Sequence, residues 1–305
     1  MKATYSRFWD IPSHRQGIRL RLIAALPLVL GLALPLDASA QTGKLNDTGI
    51  LTCANATSNS VPCGYADNDT YGYPRQDTEY GRSAKENAGQ SLGKTGGSDA
   101  NSKGFDFSKM QNDGTINQAA TLGTAATNWG CTRDNVTGLI WLVKTAAGND
   151  YRLNTTTYRW YSTDGTRNGG NQGDNTNDAA AQCYFALNTG NTTSQSCNTK
   201  ALVDYVNTQS ICGEGTKNDW RLPTRLELLT IVDLSKQGAG TAATDSTYFP
   251  NMMADNYWTQ DTVAGSPAQA RIVNFYSGGD GVATKSSGIA AMPSKNYVIL
   301  VRPSP

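Results

Sequence analysis

The side chains that most often move protons or hold metals are nearly absent from this sequence. Its one histidine is His14, near the start of 305 residues. Beyond that point there is no imidazole for Ser-His-Asp or Cys-His catalysis, or for His-ligated zinc. The full phosphate-loop pattern G-x-x-x-x-G-K-S/T is not met, since Ala88 stands where its first Gly belongs before Gly93-Lys94-Thr95, and no G-x-S-x-G turn occurs, so neither phosphate cradling nor a nucleophile elbow is indicated. No catalytic residue is assigned, and the chain is expected to bind rather than to catalyse. The chemistry that remains is aromatic and polar. Trp160, Tyr161, Asp164 and Arg167 lie among Gly and Asn between Tyr158 and Asp178, and Tyr276, Asp280 and Lys285 lie in a similar stretch ending at Lys295. Aromatics interleaved with Asn and Asp suit sugar rings, whose faces stack and whose hydroxyls take hydrogen bonds. These seven are the candidate ligand contacts.

A second kind of chemistry is metal binding. Asp67-Asn-Asp69-Thr-Tyr71-Gly72 alternates oxygen side chains and ends in Gly, a pattern that suits calcium. Asp67 and Asp69 are therefore candidate ligands, and calcium is the one cofactor considered. The acid that would close an EF-hand loop falls on Thr78, with Asp77 and Glu79 beside it, so the match is incomplete.

The six cysteines include no C-x-x-C pair, and an even number in an exported chain reads as disulfides. Six allow 15 pairings. Proximity around a polar loop favours Cys53 with Cys63, Cys183 and Cys197 flank another polar segment, and Cys131 is left with Cys212.

Export itself is read from the first 40 residues. Arg15, Arg19 and Arg21 precede the uncharged run Leu22 to Leu36, and Ala38-Ser39-Ala40 supplies a small-x-small cleavage site. The run has 15 residues with Pro27 and Pro35 inside it, short of the roughly 20 needed to span a bilayer. Residues 1–40 are accordingly expected to be a cleaved signal peptide, which places the product in the periplasm, on the cell surface or outside the cell. Removing five basic and two acidic residues from 26 and 25 leaves 21 and 23, a net charge of −2. That balance argues against a nucleic-acid partner held by bulk charge, and no transmembrane segment is expected after cleavage.

Positioning these groups needs a scaffold, and composition changes along the chain. Residues 41–126 are rich in Gly, Asn, Asp, Thr and Ser with little to bury, so they read as an extended, partly ordered arm stapled by its one disulfide loop. Phe105 and Phe107 are its anchors for docking on a neighbour. Residues 127–305 read as globular. Gly138 to Thr145 is an apolar run suited to a buried strand. Lys200 to Gln209 predicts a helix behind a Thr199 cap, and Thr224 with Glu227 forms a capping box opening a second helix, with Leu228, Leu229, Ile231 and Val232 on its buried face. Strands are predicted at Tyr257 to Val263, Ala270 to Tyr276 and Tyr297 to Arg302. Two helices with a mostly antiparallel sheet make the fold class α+β. Trp141, Trp220 and Trp258 are expected in the core, Arg221 and Arg302 in internal pairs, and Asp134 and Asn135 in a turn.

An ordered series of motifs then carries a resemblance. Cys131-Thr-Arg-Asp-Asn-Val-Thr-Gly-Leu-Ile-Trp141, Cys212-Gly, Asp219-Trp220-Arg221-Leu222-Pro223-Thr224, Tyr248-Phe249-Pro250-Asn251, Tyr257-Trp258 and Val298 to Arg302 together resemble the Lcl C-terminal domain family, over roughly Thr127 to Arg302. The family takes its name from a bacterial collagen-like adhesin. The resemblance implies a fold similar to C-type lectins and formylglycine-generating enzymes, with polar loops gathered at one end, and a role in adhesion through sulfated polysaccharides. Two departures matter. The chain has no Gly-X-Y repeat, and no cysteine follows Cys212, so the copper-binding pair of the related enzymes has no counterpart. The expected partner is an extracellular polysaccharide or a surface protein. The competing expectation is self-assembly, as a structural subunit of an envelope or extracellular filament.

Overall fold

The computed structural model describes residues 45–58, 60–62, 76–95, 104–147, 150–176, 183, 197–213, 218–285 and 295–304. The expected signal peptide, Cys63, and the candidate calcium ligands Asp67 and Asp69 lie outside the described residues.

Four antiparallel strands make the central sheet. They are β1 (Phe107–Gln111), β2 (Trp129–Asp134), β3 (Leu139–Leu142) and, from the end of the chain, Val301–Pro303, in the order β1, β2, β3 and that last strand. The apolar run around β3 does not alternate with polar residues because both faces of this sheet are covered. Leu139 and Trp141 point into one buried cluster with Phe107, Phe249 and Phe275, while Ile140 and Leu142 point into another with Trp220 and Trp258. Residues Val298 to Val301 repeat the pattern, Val298 and Leu300 on one side and Ile299 and Val301 on the other. A period of two between two cores therefore appears in the sequence as an unbroken apolar stretch.

The remaining strands are β4 (Tyr158–Arg159), β5 (Asn256–Val263), β6 (Ser266–Asn274), β7 (Asp280–Thr284), β8 (Lys295–Asn296) and β9, the Val301–Pro303 strand just described. Strands β5, β6 and β7 form a three-stranded antiparallel meander, and β4 pairs with β8. Helices are few and short: α1 (Asp77–Tyr80), α2 (Arg82–Asn87), α3 (Thr199–Val206) and α4 (Arg225–Leu229). The architecture is mixed helix and sheet, mostly antiparallel, as expected for α+β. Among the described residues no helix is long and apolar enough to cross a membrane.

Several expectations about elements are corrected. The N-cap of α3 is Asn198, not Thr199: Asn198 is extended and its side chain accepts from the Ala201 N–H at 2.9 Å, while Thr199 is already helical. Helix α4 does open on the Thr224 and Glu227 capping box, but it stops at Leu229. Ile231 and Val232 are buried from the turn that follows it. The stretch expected to be an arm also supplies β1. Phe105 and Phe107 do dock, stacked at 5.5 Å between ring centroids, and β1 pairs residue by residue with β2.

Polar staples hold this earlier segment down. Asn46 donates to Asp134 at 2.8 Å and accepts from the Asp106 N–H at 3.1 Å, and Asp47 accepts from the N–H and hydroxyl of Ser83. Asp134 also shapes the turn between β2 and β3 by accepting from Val136 and Thr137 N–H, and Gly138 closes it at φ +76°, a conformation that favours glycine. The expected pair Cys131 and Cys212 is a disulfide with Cα atoms 6.1 Å apart, and Cys183 is joined to Cys197. Cys53 is also disulfide-bonded.

Candidate functional site

A cleft of about 270 Å³ opens where the segment after β4 meets the start of α3 and the middle of β5. Four of the seven candidate contacts, Trp160, Tyr161, Asp164 and Arg167, line it together with Lys200, Val203, Arg221, Leu222 and Gln260. The positioning follows from local chemistry. Thr199, freed from capping, donates its hydroxyl to the Tyr161 carbonyl at 2.9 Å and accepts from the Tyr161 N–H at 3.0 Å, so the first turn of α3 is sewn to the candidate segment. Trp160 is 1% exposed and donates its indole N–H to the Thr259 carbonyl at 2.8 Å, which ties the cleft floor to β5.

The rim carries mixed charge. Asp164 accepts from the hydroxyl and N–H of Thr166 and pairs with Arg167 at 3.1 Å; the Thr166 hydrogen bonds hold its carboxyl below the usual range. Arg167 also donates to the side-chain oxygen of Gln260. Arg221 is locked by Glu227 through two contacts of 2.7 Å, the internal pair expected from sequence. Burial pushes the Glu227 carboxyl up, but Arg221 and the Thr224 hydrogen bonds outweigh it and leave it below its ordinary value. An ionised, exposed Asp164 is suited to accepting hydrogen bonds from a ligand and ill suited to donating a proton. With an apolar floor and fixed polar rim, the cleft can hold one small polar ring.

The second candidate stretch is not brought to this cleft. Tyr276 is 49% exposed and does not line it. Asp280 sits on β7 beside Arg225 at 3.4 Å and Arg271 at 3.8 Å. Lys285, a candidate contact, is 0% exposed. It lies behind the floor, with its ammonium 3.9 Å from the Trp160 ring centroid, and donates to the carbonyls of Asn168 and Asn171 and to the Thr262 hydroxyl. It thus supports the site from within. Conversely, Lys200, Val203 and Gln260 were not anticipated. They come from a helix and a strand far away in sequence, brought in by the Thr199 and Trp160 links together with the Arg167–Gln260 hydrogen bond. Among the described residues no group of three His, Cys, Asp or Glu side chains is placed to hold a metal ion.

Comparison with known proteins agrees with the motif series. The sequence model of the Lcl C-terminal domain family matches residues 130–302. No curated protein and no solved structure matches the chain.

Proposed function

Starting from the fact that the chain belongs to the Lcl C-terminal domain family, we propose that it is an exported binding protein whose cleft beside Trp160 takes a sugar ring of an extracellular polysaccharide. The two described disulfides and the family membership fit an exported, disulfide-stabilised protein. The single observation that carries the sugar reading is the convergence of Tyr161, Asp164 and Arg167 on one small cleft floored by Trp160. A ring face stacks on an aromatic while an acid and a guanidinium serve its hydroxyls. A lectin-like fold, cleavage after Ala40 and adhesion at the cell surface belong to the same reading, as does the absence of catalysis.

The test is a glycan array with the oxidised chain from Gln41 onward, repeated with Tyr161→Ala and Arg167→Ala. Binding of a defined glycan class that both variants weaken supports the reading. A wild-type protein that binds no glycan and elutes as a large assembly removes it in favour of a structural subunit.

A further inference from the structure

Every charged side chain lining the cleft beside Trp160 already has a partner of opposite sign. Asp164 and Arg167 pair with each other at 3.1 Å, Lys200 pairs with Asp204 at 2.5 Å, and Arg221 with Glu227 at 2.7 Å. Two more charges stand close by. Lys285 behind the floor is positive, and Asp261, the neighbour of Gln260 on β5, is negative. A sulfate or carboxylate entering the cleft would have to break one of these pairs or lose its water without gaining a counter-charge. The balance favours a neutral ligand.

What the cleft offers instead is aliphatic surface and one amide. A sugar ring turns its C–H faces to aromatic rings, here Trp160 and Tyr161. Val203 on α3 and Leu222 add an aliphatic wall for which a plain hexose, clothed in hydroxyls, has no counterpart. Gln260 lines the same cleft, and its backbone N–H donates to the Pro223 carbonyl at 2.8 Å, which holds it beside the segment that carries Leu222.

The Gln260 side chain has one end used and one end open. Its oxygen accepts from Arg167, and since a guanidinium only donates, this contact assigns which end of the amide is oxygen. Its nitrogen has no acceptor among the described residues and is not enclosed by the protein. A free amide donor thus shares a small cleft with two aliphatic side chains. A group that carries a carbonyl and a methyl on one planar, uncharged unit answers both, and an acetamido group is that unit.

We propose that the cleft beside Trp160 selects a neutral 2-acetamido sugar, an N-acetylhexosamine unit. Its acetamido carbonyl accepts from Gln260 Nε2, its methyl lies on Val203 and Leu222, and its ring lies against Tyr161. The proposal rests on the sugar reading of this cleft and departs from the sulfated ligands that the family resemblance implies.

The experiment is an NMR titration of the oxidised chain from Gln41 onward with N-acetylglucosamine against glucose and N-acetylgalactosamine against galactose, all as methyl β-glycosides. The members of each pair differ only at C2. At least one acetamido sugar is expected to bind about tenfold more tightly than its counterpart, from one buried methyl and one hydrogen bond. In the wild-type protein its methyl should show a nuclear Overhauser contact to the Val203 or Leu222 methyls. Gln260→Glu replaces the donor by an acceptor and Val203→Ser shortens the wall, so each should cut the ratio to about threefold, whereas Tyr161→Ala should weaken both members of the pair. The ratio is read within each variant, and the wild-type contact decides even where a variant fails to fold. Equal binding within both pairs overturns the proposal and leaves the sugar reading in place, as does binding of other glycans on the array with none of these four. Absence of the methyl contact, or a ratio unchanged in Gln260→Glu and Val203→Ser, overturns it too, because the acetamido group is then held elsewhere. A chain that binds no glycan at all removes both readings.

Discussion

The Lys285 ammonium lies 3.9 Å from the centroid of the Trp160 ring, fully enclosed and with no carboxylate paired to it among the described residues. Its charge is answered by an aromatic face, two carbonyls and a hydroxyl. The carbonyls belong to Asn168 and Asn171, on the stretch that carries Arg167, so the lysine fixes the shape of the cleft without touching what enters it.

Replacing Lys285 by Met keeps the volume and removes three hydrogen bonds and the cation–π contact. A loss of about 2 kcal/mol in folding stability is expected, with weaker glycan binding in the cleft because Arg167 loses its anchor. Denaturant melts and glycan titration check both effects; an unchanged melt would show that the lysine is not a support.

Glu227 caps α4 and holds Arg221 in the same stroke. Glu227→Ala leaves a partly buried guanidinium unpaired and opens the capping box, for an expected cost of about 3–5 kcal/mol. Because its carboxyl is held low in the folded state, its contribution is present above the ordinary carboxylate range and is lost as pH falls through the folded value. Acid unfolding of wild type and of Glu227→Gln, followed by circular dichroism, should differ in midpoint, with the wild type losing more stability on acidification.

On the alkaline side two buried lysines give a slope of the same sign, and two buried tyrosines reverse it. Burial lowers the Lys144 ammonium to about 7, partly countered by Asp150, and lowers Lys285 to about 8. The unfolded chain keeps both protons up to about pH 10. Between about pH 8 and 10 the unfolded state therefore binds more protons, and stability should rise with pH. Above that window Tyr158 and Tyr257, whose hydroxyls burial pushes up, resist ionisation only when folded, so stability should fall. Chemical denaturation midpoints against pH test this, and Lys144→Met should flatten the rise.

Removing the Cys131–Cys212 bridge opens a loop of 81 residues, which by the chain-entropy relation costs about 4–5 kcal/mol. The double variant Cys131→Ala, Cys212→Ala should melt earlier and should loosen the hydrogen bonds that the Asn112 carbonyl accepts from residues 212 and 213, read as faster hydrogen exchange at those amides. Exchange unchanged there would mean that the hydrogen bonds alone hold the two segments together.

Elements whose instructions are local were legible in the sequence. The Thr224 and Glu227 box, the Asp134 turn, the apolar run of β3 and the core tryptophans all act within a few residues or through sheer hydrophobic area, and each stands where residue type placed it. Strand β1 was not legible, because five residues that earn their order by pairing with β2 carry no periodic signal of their own. The site divided in the same way. Trp160, Tyr161, Asp164 and Arg167 are neighbours in sequence and stayed neighbours in the cleft. Lys285 was drawn in as an internal support and Tyr276 and Asp280 were left outside, because the meander of β6 and β7 decides which parts of that stretch turn inward. By itself the sequence determined the family and the chemistry of one aromatic loop, while the pairing of Cys131 with Cys212, favoured by spacing among 15 possibilities, was settled by the structure. Only the tertiary structure decided which distant side chains, Gln260 and Lys200 among them, share the wall of the cleft beside Trp160, since contacts between remote segments are set by how two cores pack around one sheet.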